Sequence, residues 1–205
     1  MIQNYLPLHF NNGIYIEAGA NDGVTQSNTH FLEKNFGWTG ILVEPSPLKF
    51  QECNKNRSGK NKFFECALVG KEEVKSVSGN FVETWWGDSM SSAISEIMPY
   101  FTENQKKDVL EKQKRNQITV LAKPLKKIIS ESGYTKIDFM SLDLEGYELE
   151  VLSGYDFSIR PKYILIETTT DLEIKKQMDR FLNGKSYKFV EQITDNDRMY
   201  VDSLS

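Results

Sequence analysis

A strand that runs directly into a glycine-bounded turn constrains the fold of this chain more than any other feature. Residues 14–18 read Ile-Tyr-Ile-Glu-Ala, and the turn that follows extends from Gly19 to Gly23. The apolar run from Gly40 to Val43 predicts a second strand, which ends in Glu44 one βαβ unit later. In Rossmann-like sheets, an acidic residue about 20 residues beyond the turn holds ribose hydroxyls. The order therefore predicts parallel strands and a cofactor that contains a nucleoside.

The glycine pattern of this turn favours one cofactor class over another. Gly19 and Gly23 enclose Ala20, Asn21 and Asp22, and the turn contains no G-x-G-x-x-G motif. Dinucleotide sites use that motif because the pyrophosphate approaches the backbone closely. S-adenosylmethionine has no pyrophosphate, so the pattern favours this cofactor over NAD. Two alternatives stay open, an NAD-type oxidoreductase and a non-catalytic module that binds a nucleoside cofactor.

Length, charge and cysteine content limit the classes of function. The 205 residues fit a single domain, which we place over residues 1–205. The chain has 25 basic and 29 acidic residues and a net charge of −4, which disfavours nucleic acid as a partner. Cys53 and Cys66 are too few for a disulfide framework or a thiolate metal site. We expect a cytoplasmic protein without a membrane span, because a long apolar run and a signal-peptide pattern are both absent. Homo-oligomerisation stays open.

Strand and helix signals alternate through most of the chain. Helices are predicted over 27–36, with Ser27 as N-cap and Gly37 as the stop, and over 46–57. The pattern predicts an α/β fold of the Rossmann-like, doubly wound type, with seven mostly parallel strands and an antiparallel closing strand. The predicted strands cover residues 13–17, 40–44, 62–69, 137–142, 163–167, 187–191 and 198–201.

Residues 71–117 interrupt this rhythm between the third and fourth predicted strands. They contain a predicted hairpin, 74–78 with 80–83, and a polar, exposed helix over 102–116. We interpret the segment as an insertion on the active-site side of the sheet, where a lid can form. Its aromatic residues are expected either in the core or stacked on a substrate. They are Trp85, Trp86, Tyr100 and Phe101.

Three blocks of the sequence resemble the signature of a known family. They are residues 15–23 (YIEAGANDG), 42–45 (LVEP) and 137–152 (IDFMSLDLEGYELEVL). These blocks are similar to those of the FkbM family of bacterial class I, S-adenosylmethionine-dependent methyltransferases. The resemblance implies an O-methyltransferase, and we expect its acceptor to be a small molecule, a sugar or nucleotide-sugar of surface polysaccharide biosynthesis. The chain departs from the family at Glu17, where many members have Asp, and at Asp22, where a hydrophobic residue is common.

The first two blocks and the third predicted strand supply candidate ligands for the cofactor. Glu44 is expected to accept hydrogen bonds from both ribose hydroxyls. Cys66 and Ala67, at the predicted end of strand three, are expected to form a small apolar wall for adenine. The residues expected to border the methionine portion are Glu17, Gly19 and Asn21, and Asp22 of the same turn is a further candidate ligand of the cofactor.

Carboxylates follow the fourth and fifth predicted strands, at the edge where open α/β sheets place their sites. Asp143 and Glu145 follow strand four, and Glu167 ends strand five. We expect Asp143 at the reactive end of the cofactor, as the base that takes the proton of the acceptor, with Glu145 assisting. Glu148 is interpreted as a helix-surface or first-turn charge. Adjacent carboxylates repel one another, which predicts either a raised pKa or a bound cation.

The histidine content limits the kind of metal site. Only His9 and His30 are present, which excludes a Cys/His zinc site. His30 is predicted in the first turn of the first helix and is a candidate base or metal ligand. An oxygen-rich site at Asp143 and Glu167 would suit Mg²⁺ or Mn²⁺, or Fe²⁺ if His30 joins it.

Overall fold

A central sheet of seven strands organises the chain. The computed structural model describes residues 11–79, 118–168 and 171–204. In chain order the elements are β1 (Ile14–Ala18), α1 (His30–Phe36), β2 (Thr39–Val43), α2 (Pro47–Asn56), β3 (Lys62–Phe64), β4 (Ala67–Val69), β5 (Ser76–Gly79), β6 (Ile118–Pro124), α3 (Leu125–Ser132), β7 (Phe139–Leu142), α4 (Glu148–Ser153), β8 (Tyr163–Glu167), α5 (Leu172–Gly184), β9 (Tyr187–Gln192) and β10 (Asp197–Asp202).

The order of strands places a switch point beside β1. Across the sheet the order is β3-β2-β1-β7-β8-β10-β9. Neighbours from β3 to β8 are parallel, and β10 is antiparallel to both β8 and β9. The chain runs from β1 outward to β3 and later returns through β7 on the other side of β1. The sheet is therefore doubly wound, as predicted, and β1 and β7 meet where such folds bind ligands.

Alternate residues of the strands build a hydrophobic core on each face of the sheet. On one face, Ile16 of β1 and Met140 of β7 belong to a cluster that includes apolar residues of α3, α4 and α5. On the other face, Tyr15 and Phe139 join a cluster that includes residues of α1 and α2. Helices thus cover both faces. None of the helices in the described ranges has the length and apolar character needed to cross a membrane.

The third predicted strand, 62–69, is divided in the structure. β3 ends at Phe64 and belongs to the central sheet, whereas β4 begins at Ala67 and pairs with β6. A second sheet forms from three strands in the order β4-β6-β5. The break falls at Glu65 and Cys66, an exposed residue followed by a buried one. The prediction of one strand was wrong because an apolar run does not reveal where a strand changes its partner.

β6 and α3 lie outside every predicted element. In β6, Val120 and Ala122 are buried and alternate with exposed residues, which is the period of a strand with one covered face. α3 buries four residues at helical spacing. Pro124 ends β6 and is also the N-cap of α3, so no polar loop separates the two periods. The buried residues of α3 are Leu125, Ile128, Ile129 and Ser132.

The two predicted ends of the first helix have different outcomes. α1 begins at His30, three residues later than predicted, and Gly37 ends it with a φ of 67° as predicted. The Ser27 hydroxyl accepts hydrogen bonds from the backbone N–H groups of Thr29 and His30.

The closing hairpin is confirmed, because β9 and β10 pair as antiparallel neighbours. The predicted run 80–83, the predicted helix 102–116 and the insertion's four aromatic residues lie outside the described residues.

α4 and the segment that follows β4 touch through their backbones. A Cβ atom on Gly154 would lie 1.8 Å from the carbonyl oxygen of Gly70, and one on Gly70 would lie 2.4 Å from the carbonyl oxygen of Glu150. Neither position has room for a side chain. The small sheet is therefore in direct contact with the helix that follows β7.

Candidate active site

The loop after β1, residues 19–29, lies at the switch point and is called here the β1 loop. Gly19 and Ala20 donate backbone hydrogen bonds to the carbonyl of Val43, at the end of β2, over 3.0 and 3.1 Å. Gly19 has a φ of 82°, and a Cβ atom there would lie 2.1 Å from the carbonyl oxygen of Asp143, directly after β7. Only glycine fits this position. The β1 loop therefore joins the carboxyl ends of β2 and β7.

Glu44 follows β2 and faces the β1 loop. Its side chain is buried, and its two oxygens accept backbone hydrogen bonds from Asn21 and Ser46, each 2.8 Å long. Burial raises the pKa of the Glu44 carboxyl. A carboxylate has about four acceptor positions, so each oxygen keeps capacity for one further hydrogen bond. Glu44 is thus placed to accept from two hydroxyl groups of a ligand.

Asn21 adds a second polar group beside Glu44. Its backbone has a φ of 49°, a left-handed conformation that asparagine tolerates better than most residues. Its Oδ1 atom is buried and has no hydrogen-bond partner among the described residues. A buried acceptor without a donor is unfavourable. The atom therefore fits a ligand that brings an N–H or O–H group, such as the ammonium of S-adenosylmethionine.

Glu17 lies within β1, and its carboxylate is used inside the protein. Its oxygens accept hydrogen bonds from the Ser27 hydroxyl (2.9 Å), the Asn28 backbone (2.7 Å), the Thr29 hydroxyl (2.6 Å) and Arg57 Nη1 (3.2 Å). The residue is 3% exposed. Glu17 is thus saturated by the far part of the β1 loop, and we no longer assign it to the methionine portion of the cofactor.

Asp22 shapes the turn of the β1 loop. Its Oδ1 accepts backbone hydrogen bonds from Val24 and Thr25, and its Oδ2 accepts one from the Thr25 hydroxyl. Desolvation opposes ionisation of this carboxyl, but the three hydrogen bonds outweigh it and lower the pKa of Asp22. The carboxylate is thus engaged within its own turn. This arrangement favours a structural role over the predicted contact with the cofactor.

Three carboxylates meet beyond the ends of β7 and β8 and form what we call the acidic rim. One oxygen each of Asp143, Glu145 and Glu167 lies within 4.8 Å of the others. Asp143 is exposed, yet partial desolvation, a hydrogen bond with Glu167 and the charges of Glu145 and Glu148 raise its pKa well above the usual range. The predicted clustering of carboxylates is therefore present, and Asp143 holds its proton more tightly than an isolated carboxyl would.

Glu148 holds the loop that carries the acidic rim. Glu145 and Gly146 have φ angles of 54° and 97°, so the loop takes a left-handed path. Glu148 Oε1 accepts backbone hydrogen bonds from Leu144 (2.7 Å) and Gly146 (3.2 Å). Glu148 begins α4 as predicted, but it is buried, so the interpretation as a surface charge was wrong. Burial raises the pKa of Glu148.

His30 starts α1 and stands outside the acidic rim. Within the described ranges, the one group of His, Cys, Asp and Glu side chains close enough to share an ion is Asp143, Glu145 and Glu167. Desolvation and the nearby charges of Arg57 and Lys34 lower the pKa of His30. The structure therefore gives no support to Fe²⁺ held by His30. The rim's oxygen donors suit Mg²⁺ or Mn²⁺ by type.

A comparison with protein families decides between the cofactor classes. The sequence profile of the Methyltransferase FkbM domain matches residues 17–190, which include the β1 loop, Glu44 and the acidic rim. The chain belongs to the FkbM methyltransferase family. The match confirms the resemblance found in the three sequence blocks, and it supports S-adenosylmethionine as cofactor over NAD. A comparison with curated proteins finds no match.

One solved structure supports the fold of this FkbM family member, and two others match it less closely. The crystal structure of methyltransferase FkbM from Methylobacillus flagellatus KT matches with a TM-score of 0.56 and 12% identity, over 93% of this chain and 43% of that one. The chain thus spans less than half the length of that relative. A fibrillarin/Nop5p complex matches with a TM-score of 0.46, 11% identity and coverage of 92% and 71%. An S-adenosylmethionine-dependent methyltransferase from Methanosarcina mazei matches with a TM-score of 0.37, 10% identity and coverage of 98% and 76%.

The predicted adenine wall needs correction in this FkbM domain. Cys66 is 1% exposed and belongs to the hydrophobic core, so its side chain lines no open surface, and burial raises the pKa of its thiol to about 12. Ala67 begins β4 instead of ending the third strand. A cleft of about 270 Å³ includes Glu65, the residue before Cys66, in its lining. Its lining residues are Pro47, Glu65, Thr119, Val120 and Leu121.

The sequence analysis did not identify a buried network of polar residues that contacts the β1 loop. Arg57, Glu33 and Asn61 stand outside the three FkbM blocks, and each is a common surface residue type. In the structure Glu33 Oε2 accepts from Arg57 Nε (2.8 Å) and from Asn61 Nδ2 (2.7 Å). The signal available in the sequence was weak. A single arginine at the end of an amphipathic helix normally lies in solvent.

Proposed function

We propose that this chain is an S-adenosylmethionine-dependent O-methyltransferase whose acceptor is a hydroxyl of a sugar or nucleotide-sugar used in surface polysaccharide synthesis. The observation that carries the donor half is the Glu44 carboxylate, buried at the end of β2 and fixed by the backbone of Asn21. Family membership supports methyl transfer. The same membership weighs against the NAD-type oxidoreductase.

Residues at the carboxyl ends of β1 and β2 are assigned to the donor. Glu44 would accept hydrogen bonds from the two ribose hydroxyls, and Asn21 Oδ1 would accept one from the methionine portion. Gly19 lets the β1 loop pack against the backbone of Asp143, and it would also let the loop's backbone approach the donor closely. The cleft between Pro47 and Glu65 replaces Cys66 and Ala67 as our proposed adenine site. S-adenosylmethionine, when bound, supplies a methyl group on a positively charged sulfur.

The acidic rim is assigned to the acceptor. Transfer forms a bond between the hydroxyl oxygen and the methyl carbon, breaks the carbon–sulfur bond and releases the hydroxyl proton. Asp143 would take that proton, because it follows β7 at the switch point and its raised pKa makes its ionised form a stronger base. Glu145 and Glu167 would accept hydrogen bonds from neighbouring hydroxyls, which carboxylates do well. An acceptor rich in hydroxyls fits this surface.

The donor assignment is tested by thermal unfolding in the presence of S-adenosylhomocysteine. A ligand that binds only the folded state at 100 times its Kd stabilises it by about 2.7 kcal/mol, so Tm should rise by roughly 5–10 °C. Glu44→Ala should weaken binding by about 1.5–3 kcal/mol, because it removes charge-assisted hydrogen bonds. Glu191→Ala on β9, four strands from β1, is the control and should bind normally. A shift with NAD and none with S-adenosylhomocysteine would contradict the proposal.

The acceptor assignment is tested by turnover. Nucleotide-sugars are incubated with labelled donor, and a labelled sugar ether is the expected product. A protein that binds the donor and methylates no hydroxyl-bearing compound would instead be the non-catalytic module.

Dialysis against EDTA tests whether the acidic rim acts as a carboxylate base or as the binding site of a cation. We expect the metal-free protein to keep its activity, because Asp143 and Glu167 can share a proton, whereas a loss restored by Mg²⁺ or Mn²⁺ would assign the rim to a cation.

A further inference from the structure

Arg57, the residue after α2, lies at the centre of a buried polar network behind the β1 loop. Its side chain is 0% exposed, and those of Glu17 and Glu33 are 4% and 7% exposed. One guanidinium thus stands between two carboxylates. It donates to Glu33 Oε2 (2.8 Å), Glu17 Oε2 (3.2 Å), the Gly23 carbonyl (2.9 Å), Ser27 Oγ (3.1 Å), the Tyr15 hydroxyl (2.7 Å) and Thr29 Oγ1 (2.9 Å).

Half of these acceptors belong to the β1 loop. Gly23, Ser27 and Thr29 receive hydrogen bonds from the guanidinium, and a Cβ atom on Gly23 would lie 2.7 Å from Arg57 Cγ. The preceding residue, Asn56, donates from Nδ2 to the Asp22 carbonyl over 2.9 Å. The end of α2 thus binds the loop at several points between residues 22 and 29. Glu44 binds the same loop at its opening, through the Asn21 backbone.

The β1 loop needs such support because its backbone is unfavourable. Asn21 and Gln26 have φ angles of 49° and 58°, a conformation that costs free energy in residues other than glycine. A strained backbone conformation of this kind persists only when the surrounding structure holds it in place. The Arg57 side chain makes hydrogen bonds to three residues of the loop, and it also binds Glu17, the other side chain that holds Ser27 and Thr29. A lysine could not replace it, since an ammonium has three donors and lacks the planar fork.

We infer that Arg57 is a positioning residue for the donor, which fixes the β1 loop in the conformation that S-adenosylmethionine binds. The inference rests on the proposed function. Arg57 binds the loop between Gly23 and Thr29, whereas Glu44 binds it at Asn21. Because the Arg57 side chain is 0% exposed, it would touch neither donor nor acceptor. Loss of its hydrogen bonds should therefore weaken donor binding and leave the transfer step, once the donor is bound, nearly unchanged.

Arg57→Lys is the test, and Arg198→Lys is its matched control. Arg198 is also a buried arginine in a hydrogen-bonded network, with Tyr200, Gln192 and Asp179, but it lies on β10 near the far edge of the sheet. Both variants should lower Tm. Below the unfolding temperature, calorimetric titration should show S-adenosylhomocysteine bound about tenfold or more weakly by Arg57→Lys and within about twofold of wild type by Arg198→Lys.

Two further readouts separate positioning from a purely structural role. Arg57→Lys should raise the KM for the donor while kcat at saturating donor stays within about threefold, because the chemical step keeps all its groups. Backbone amides of residues 20–29 should exchange with deuterium faster in Arg57→Lys and not in Arg198→Lys. Donor affinity equal to that of wild type would overturn the inference, and so would equal loss in both variants.

A milder variant keeps the inference testable if Arg57→Lys does not fold. Thr29→Val keeps the shape of the side chain and removes the hydroxyl that links Arg57 to Glu17. It should weaken S-adenosylhomocysteine binding in the same direction, and unchanged binding would count against the inference. If wild-type protein binds no S-adenosylhomocysteine, the proposed function fails and this inference fails with it. If wild type binds and the variants bind equally well, the inference alone fails.

Discussion

Asp143 takes part in two features of the candidate site. Its backbone carbonyl packs against Gly19 of the β1 loop, and its side chain belongs to the acidic rim. We predict that Asp143→Asn lowers kcat by about 10²–10⁴-fold, the usual contribution of a general base, with little change in donor affinity. Glu150→Gln, an exposed carboxylate on α4, is the control and should keep normal turnover. If Asp143→Asn abolishes S-adenosylhomocysteine binding, the carboxylate belongs to the donor site.

The pH dependence of the reaction should follow the Asp143–Glu167 pair. A base acts when it is deprotonated, and the pKa of Asp143 is raised to about 9, so kcat/KM should increase as pH rises from 6 toward 9. Glu167→Gln removes the neighbouring charge, so the inflection should move to lower pH with the same acceptor. The contribution of Asp143 to the stability of the folded protein should instead decrease as pH rises. A carboxyl whose folded-state pKa is raised stabilises the protein below its unfolded pKa, and that stability is lost as pH rises through the folded pKa.

The connection between β1, β2 and β7 depends on one glycine of the β1 loop. Gly19→Ala would introduce a Cβ atom 2.1 Å from the Asp143 carbonyl oxygen, in addition to the strain of a φ of 82°. We predict a loss of more than about 3 kcal/mol in the free energy of unfolding, measured by urea denaturation. Gly133→Ala is the matched control, because Gly133 has a φ of 78° with no atom within 4 Å of the added Cβ. It should cost about 1–2 kcal/mol. Equal losses of unfolding free energy in the two variants would mean that the contact with Asp143 adds nothing to the cost of Gly19→Ala.

Elements with a strong local pattern could be predicted from the sequence. β1, β2, β7 and β8 are buried apolar runs bounded by turn residues, and each lies within about two residues of its predicted position. The division into β3 and β4 could not be predicted, because it depends on pairing with β6, more than fifty residues away in the chain. β6 and α3 were missed for a different reason. Their two periods meet at Pro124 without a loop between them.

Within the candidate site, the predictable part consisted of residues at strand ends. Glu44 and Asp143 follow strands and Glu167 ends one, and the topology of a parallel sheet brings strand ends together. The direction of a side chain is set by tertiary contacts instead. Glu17 turns into a network with Arg57, forty residues away, and no local pattern encodes that pairing. The role proposed for Glu17 changed for this reason, and that for Asp22 changed because its carboxylate is engaged by Val24 and Thr25 of its own turn. The roles proposed for Glu44 and Asp143 did not change.

The molecule as a whole is acidic, which disfavours the binding of polyanions. Its net charge is −4, and the acidic rim adds local negative charge at the carboxyl edge of the sheet. We predict no retardation of single-stranded RNA or DNA in a mobility-shift assay at low salt, where nonspecific electrostatic binding would be strongest. Lysozyme, a basic protein, serves as positive control. Retardation that weakens steeply with added salt would contradict the prediction and indicate a nucleic acid as the acceptor.

The backbone contact between Gly70 and Gly154 affects how a mutational survey of this protein should be interpreted. Every substitution at either position adds a Cβ atom against a carbonyl oxygen, so few variants should survive selection for activity there. Neither residue belongs to the β1 loop or the acidic rim. Intolerance at these two sites would report the fit between α4 and the small sheet, and it would resemble the intolerance of catalytic positions. Assays that score abundance and activity separately would tell the two apart, because these glycines should fail in abundance while Asp143→Asn fails in activity alone.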